Sequence, residues 1–266
     1  MGSFNWWLVP AIVIGLALQS YAHSMNSYLG YAWSKLDQGE PEVRSVEKVY
    51  TGGQSLLASG RVSLRGVLIN SLVWLALALV LTAFFARSTT QWAWVPVLIA
   101  VVCPFWYEWG KLHWMPEIPL GLGFATAATW LGMATSGQID WWLGAVASLP
   151  LFLIWGVWAE HADQHVDYAA NWPKGGRSLG LLTAHLGWGL RRPLAGILAL
   201  VFLAHLALIV VWPVLSPHTA WAILVSMPLF WVCLGTIDRR QKLGVLFGLA
   251  AVTVYQVAIV VGQSLA

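Results

Sequence analysis

The sequence predicts an all-α membrane protein, a polytopic helical bundle of about eight transmembrane helices. Hydrophobic residues make up 59% of the chain and charged residues only 9%, and the mean hydropathy is +0.70. Soluble domains are far less apolar. Long apolar runs recur throughout the 266 residues, as membrane-spanning helices require. Alternating ten-residue segments, the signature of a transmembrane barrel, do not persist.

The apolar runs divide the chain into eight predicted spans. Pro104 interrupts the third span, which is short. Short connections join most of the eight spans, so we expect one transmembrane domain over residues 1–266. The spans are 5–29, 62–87, 92–109, 118–136, 140–162, 193–214, 218–236 and 241–264.

Basic residues predict the orientation of the chain. Only Arg87 lies on one side of the predicted membrane. The thirteen on the other side are Lys35, Arg44, Lys48, Arg61, Arg65, Lys111, Lys174, Arg177, Arg191, Arg192, Arg239, Arg240 and Lys242. Positive residues favour the cytoplasmic side, so we expect both termini outside, in a bacterial or archaeal inner membrane. The basic pI of about 9.0 follows from topology, and we expect no nucleic-acid partner.

Acidic residues gather on the same side, which the positive-inside rule does not require. Ten of the eleven acids lie there, and only Asp140 lies opposite. Two long loops, about 31–61 and 163–192, also lie on this side. Long loops in compact domains are commonly functional or disordered. We therefore predict a polar site on the cytoplasmic side.

The first span carries a polar stripe at helical spacing, formed by Gln19, His23, Asn26 and Gly30. Residues at this spacing share one helix face. Polar groups within a bilayer face the bundle interior or a water-filled cavity. The stripe therefore either makes interhelical hydrogen bonds or lines a route to the site.

A cluster of carboxylates lies at the end of the fifth predicted span. If the helix continues through Asp167, then Glu160, Asp163 and Asp167 lie within about 60° of one another. Mg²⁺ suits such a cluster, because it takes a few carboxylates and shares its shell with phosphate oxygens. Lys174 and Arg177 follow and suit the phosphates. The alternative is a solvated helix end whose acids pair with nearby bases.

Two other classes of function stay open. His161 and His165 form an i, i+4 pair that could bind zinc or iron, as in a membrane oxidoreductase. On one helix, however, they point about 100–150° away from the carboxylates. A channel or carrier would place ionisable residues deep in several spans, and such residues are nearly absent.

Three segments resemble the UbiA superfamily of intramembrane prenyltransferases. "DQHVD" followed by "KGGRSL" is similar to the family's second aspartate motif and the stretch after it. "ASGRVS" is similar to a segment after the first motif, and "FWYEWGKLHWMPEIPLGLGFA" to a lysine-containing segment with a Gly-rich helix. The order and spacing of these matches relative to the spans carry the resemblance.

The resemblance implies a central cavity capped by cytoplasmic loops, where Mg²⁺ and basic residues hold an isoprenyl diphosphate. A small acceptor, aromatic or a quinone precursor, would capture the allylic cation. Asp163, Asp167 and Asn26 would be catalytic. The implied metal ligands are Asp163, Asp167, Glu160, Asn26 and Asp37, and the implied diphosphate contacts are Arg61, Lys111, Lys174 and Arg177.

The sequence departs from the family's first motif. Asn26 is kept, but Gly30 and Ser34 stand where the family has aspartates. Asp37, Glu40 or Glu42 could substitute. Ala159 occupies the position of an asparagine that commonly precedes the family's second motif, and Glu160 lies next to it. The chain has eight predicted spans, whereas nine are usual in the family. A terpene cyclase of the same superfamily, acting on a prenyl diphosphate alone, is therefore the second candidate.

Overall fold

The structure is a computed structural model that describes residues 5–38, 57 and 60–264. Every regular element in these ranges is a helix. The α-helices are α1 (Leu8–Ala32), α2 (Leu64–Ser88), α3 (Trp94–Gly110), α4 (Glu117–Ala134), α5 (Trp141–Ala147), α6 (Leu149–Phe152), α7 (Glu160–Val166), α8 (Tyr168–Asn171), α9 (Leu179–His185), α10 (Arg191–Val210), α11 (Trp221–Thr236) and α12 (Gln241–Ser264). A π-helix (Leu153–Ala159) joins α6 to α7, and short 3₁₀ turns precede α3 and α11.

The described residues supply fewer helices with the length and hydropathy of a membrane span than the eight predicted. Five helices in the described ranges are long and apolar enough to cross a membrane, or six if a pair bent by 47° forms one span. That pair is Trp141–Ala147 with Leu149–His165. The prediction of an all-helical membrane protein is confirmed, whereas the count of eight is not.

The outer surface of the bundle fits a lipid environment. Large apolar side chains such as Phe84, Leu203 and Val210 are exposed on the helix faces. Exposed tryptophans occur near helix ends at both sides of the bundle, as in membrane proteins with interfacial aromatic belts. They are Trp6, Trp92, Trp142, Trp212 and Trp221 at one side, and Trp33, Trp109, Trp114 and Trp188 at the other.

Two clusters of buried residues form the core. In the first half of the chain, Ile14 of α1, Phe85 of α2 and Val97 of α3 pack together. In the second half, the buried Trp158 packs edge to face against Phe230, with the ring centres 5.3 Å apart. Its indole N–H donates to the Leu194 carbonyl at 3.1 Å. The indole therefore ties the π-helix to α10 and α11.

A close helix crossing fixes the segment that leads into α7. Gly156 of the π-helix and Gly121 of α4 let the two backbones touch: a Cβ on Gly156 would lie 2.5 Å from the Glu117 carbonyl oxygen and 2.7 Å from Gly121 Cα. Small residues permit such contacts between membrane helices. π-Helical segments often occur beside functional sites, and this one ends immediately before Glu160.

We expect Gly156→Ala to destabilise the protein, because the atoms it would meet belong to the backbone and cannot move aside. The expected loss is about 1–3 kcal/mol or more, measured by thermal unfolding in detergent. Gly235→Ala is the matched control, since a Cβ there meets nothing within 4 Å. It should leave stability unchanged or raise it slightly. Equal effects of both changes would contradict the tight crossing.

Candidate functional site

A cavity of about 1180 Å³ runs along the inside of the bundle. Its walls come from α1, α3, α4 and the segment from Ala147 to Asp167, with smaller contributions near the end of α12. Ionisable side chains line one end, which we call the polar end. It is formed by His23, Asn26, Asp37, Tyr107, Lys111, Glu160, Asp163, Gln164 and Asp167.

The carboxylates of the second predicted motif share the face that lines the cavity. α7 ends at Val166, and Asp167 caps it, with the Asp167 N–H 3.1 Å from the Gln164 carbonyl oxygen. Glu160, Asp163 and Asp167 all line the cavity. The helix therefore extends as far as the common-face argument requires.

The two histidines of α7 contact a different part of the protein. The His161 Nε2 and Thr183 Oγ1 atoms are 3.1 Å apart, and His165 Nε2 lies 2.9 Å from the Trp188 carbonyl oxygen. Neither histidine lines the cavity. Their role in the described residues is to pack α7 against α9 and the turn that follows it.

Glu160 is buried and held by a tyrosine. The Tyr107 hydroxyl lies 3.0 and 2.9 Å from the two Glu160 carboxylate oxygens, and Gln164 donates to that hydroxyl at 3.4 Å. This arrangement fixes the Glu160 carboxylate at the cavity wall. Its predicted role as a metal ligand stays a prediction.

Asp37 lies where a side chain at position 30 would lie. Its N–H donates to the Gly30 carbonyl at 3.2 Å, so the chain after α1 folds back onto the helix. A Cβ built on Gly30 would overlap the Asp37 carboxylate. The glycine at the first degenerate motif position thus makes room for an acid from seven residues further along.

Ser34, the second position at which the resembled motif has an aspartate, also contacts an acidic side chain. Its hydroxyl donates to Glu108 Oε2 at 2.7 Å, and Glu108 is fully buried. Sequence reasoning did not select Glu108 as a site residue. Its position three residues before Lys111 was the available signal, because residues at i and i+3 meet on a helix.

Lys111 is a buried cation at the polar end. Its ammonium group donates to Glu108 Oε1 at 2.6 Å and lies 4.7 Å from the Tyr107 ring centre. Burial acts to lower the pKa of Lys111, but the nearby Glu108 and Asp37 carboxylates outweigh it and the pKa is raised. Lys111 is therefore positively charged at neutral pH.

The other predicted diphosphate contacts lie outside the cavity lining. Lys174 is exposed and donates to the carbonyls of Leu36, at 2.6 Å, and of Gln38. Arg177 stacks on the Trp172 ring at 4.4 Å and donates to the Gly176 carbonyl at 2.7 Å. Arg61 is exposed. Glu40 and Glu42 lie outside the described residues.

The oxygen donors at the polar end fit Mg²⁺ better than a histidine-ligated metal. Within the described ranges, no three His, Cys, Asp or Glu side chains are grouped closely enough to hold a metal by themselves. Mg²⁺ does not need such a group, because it keeps several waters and binds one or two carboxylates plus phosphate oxygens. The buried Asn26 Oδ1 has no hydrogen-bond partner among the described residues, so this oxygen is available as an acceptor or ligand.

Comparison with known proteins adds no relative: no family model, no curated protein and no solved structure matches the chain. The resemblance to the UbiA superfamily therefore depends on the motifs in the sequence.

Gly30→Ala tests the position of Asp37. The added methyl group would overlap the end of the Asp37 side chain, which would have to move, so we expect a loss of about 1 kcal/mol in unfolding free energy. Gly15→Ala on the same helix is the control, because its Cβ would meet nothing within 4 Å. Adding Asp37→Ala to Gly30→Ala should recover part of the loss. Thermal unfolding of the four proteins in one detergent makes the comparison, and no recovery would contradict the overlap.

Proposed function

We propose that the protein is an Mg²⁺-dependent intramembrane prenyltransferase that moves an isoprenyl group from its diphosphate to a small acceptor, aromatic or a quinone precursor. One observation carries the proposal. A single cavity joins four carboxylates and a buried lysine at one end to a long apolar wall. A prenyl diphosphate has the same division, with a highly charged head group and a hydrocarbon tail.

The carboxylates would hold the metal. Asp163, Asp167 and Asp37, with the unpartnered oxygen of Asn26, are the donors best suited to Mg²⁺. Glu160 would act beside them, held by Tyr107. Bound Mg²⁺ would supply positive charge against the diphosphate and so favour its departure.

Lys111 would bind the diphosphate directly, because it is charged and lines the cavity. Preorganised cations stabilise the negative charge that develops on a leaving diphosphate. Lys174 supports the Leu36–Gln38 turn that carries Asp37, so we assign it a positioning role in addition to the proposed phosphate contact. Arg61 and Arg177 would approach the head group from the loops.

The reaction breaks the C1–O bond, and the diphosphate leaves with the bonding electrons. The acceptor then supplies the electron pair for the new bond to C1 and releases a proton. An apolar cavity protects the allylic cation from water until the acceptor arrives. With the polar end facing the cytoplasm, as the basic residues favour, Mg²⁺ from the cytoplasm and the diphosphate head group of a donor held in the membrane could reach it.

A terpene cyclase differs only in the nucleophile, since an internal double bond would replace the acceptor. Product analysis separates the two. Incubation with Mg²⁺ and a prenyl diphosphate alone should release no cyclised hydrocarbon or alcohol, whereas added aromatic acceptors should yield prenylated products. A cyclised product without acceptor would overturn the transferase assignment and favour the cyclase.

Asp163→Asn and Asp167→Asn should each lower Mg²⁺-dependent diphosphate release by at least about 10²-fold, because each removes a negative ligand without changing side-chain size. Asp238→Asn is the control: Asp238 is an exposed acid that accepts from the Arg191 N–H and does not line the cavity. It should retain activity. Full activity in both cavity variants would refute the metal assignment.

A further inference from the structure

The cavity extends along almost the whole length of two antiparallel helices. On α1, lining residues recur every three or four positions from Leu8 through Gly15 to Asn26. At 1.5 Å per residue that distance is about 27 Å. On α4 and its cap, lining residues continue from Pro119 to Thr135, or about 24 Å. Both lengths approach the thickness of a bilayer's hydrocarbon core, about 30 Å.

The wall beyond the polar end is almost entirely apolar. Ala11, Ala22, Ala127 and Leu131 are typical of it. The few polar lining residues away from both ends include Gln19, which is exposed, and two residues whose side chains have hydrogen-bond partners. Thr129 donates to the Ala125 carbonyl at 2.7 Å, and the Gln256 oxygen accepts from Trp155 Nε1 at 3.2 Å. This compartment suits a hydrocarbon chain.

Two glycines keep the far half of the compartment open. Gly15 of α1 and Gly132 of α4 both line the cavity, and a Cβ on either would meet nothing within 4 Å. Open space therefore lies directly against both backbones. Gly15 is about 16 Å from Asn26 along α1, and Gly132 is about 22 Å from the start of α4 at Glu117.

The length of the compartment sets the size of the tail. From His23 to Leu8 it measures about 22 Å. An isoprene unit adds four chain bonds, or about 5 Å when extended, since three bonds span 3.8 Å in an extended chain. Resting on the proposed function, we infer that the compartment holds a donor tail of about four isoprene units, with the far part of the tail between Gly15 and Gly132.

Measured from His23, a chain of two units, about 10 Å long, would stop before Gly15, which is about 12 Å away, whereas a third unit would reach just past it and a fourth would occupy the far part. Gly15 and Gly132 are then the residues that determine the permitted chain length. Comparing the affinities of the wild-type protein for long and short donors does not test which chain lengths fit, because the tails of both are already solvated by lipid. A bulky side chain introduced at Gly15 or Gly132, in the far half of the compartment, does test which chain lengths fit.

The experiment uses Gly15→Phe and Gly132→Phe in bilayer nanodiscs. The probes are thio-diphosphate analogues of two, three and four isoprene units, whose sulfur at C1 prevents ionisation, with Mg²⁺ present. Binding is measured by displacement of a radiolabelled four-unit analogue from the wild-type protein, and directly with each labelled probe for the variants. Val13→Phe is the control, because Val13 is exposed on the same helix and does not line the cavity.

We expect both glycine variants to bind the four-unit probe at least tenfold more weakly while the two-unit probe stays within twofold. Retained two-unit binding also shows that each variant is folded. Val13→Phe should change neither. An equal effect on all lengths in both glycine variants, or no effect on the four-unit probe, would overturn the inference and leave the proposed function intact. Failure of the wild-type protein to bind any probe would overturn the proposed function itself, and this inference with it.

Discussion

The polar end depends on one constraint, the burial of several carboxylates beside a single lysine. Asp37, Glu160, Asp163 and Asp167 line the cavity, and Lys111 is the one lysine or arginine in the lining that the described residues supply. Charges are costly to bury unless neighbours compensate them. Tyr107 therefore holds Glu160, and Lys111 pairs with Glu108. Carboxylate oxygens gathered in this way are suitable ligands for a divalent cation, which is the physical basis of the proposed metal site.

The same constraint explains how a degenerate motif can be completed by residues from elsewhere. Gly30 and Ser34 provide no carboxylate, yet each lies against one: Asp37 folds back over Gly30, and Glu108 accepts from Ser34. Position 30 suits glycine here because the neighbouring space is already filled. Asp37 and Glu108 therefore place carboxylates in the region of the site where Gly30 and Ser34 supply none.

Sequence patterns predicted those parts of the site that depend on a single helix. The common face of Glu160, Asp163 and Asp167, and the different direction of His161 and His165, follow from helical periodicity alone. Glu108 could not be found in this way, because its partnership with Ser34 joins α1 to α3. The bend of 47° before Leu149 is likewise not visible in the hydropathy of the sequence. The π-helix before Glu160 has no signature in the sequence pattern.

Lys174 connects the segment that carries Asp37 to the loop that follows the carboxylates of α7. Its ammonium group contacts the carbonyls of Leu36 and Gln38, which flank Asp37, while its own loop follows the carboxylates of α7. The Arg177 N–H contacts the Lys111 carbonyl in turn, which links this loop to the turn after α3. Three remote segments are therefore joined through backbone carbonyls, groups that every residue possesses. The position of Asp37 depends on these contacts, so loss of the Lys174 side chain would disturb a proposed metal ligand even if Lys174 makes no contact with the proposed diphosphate.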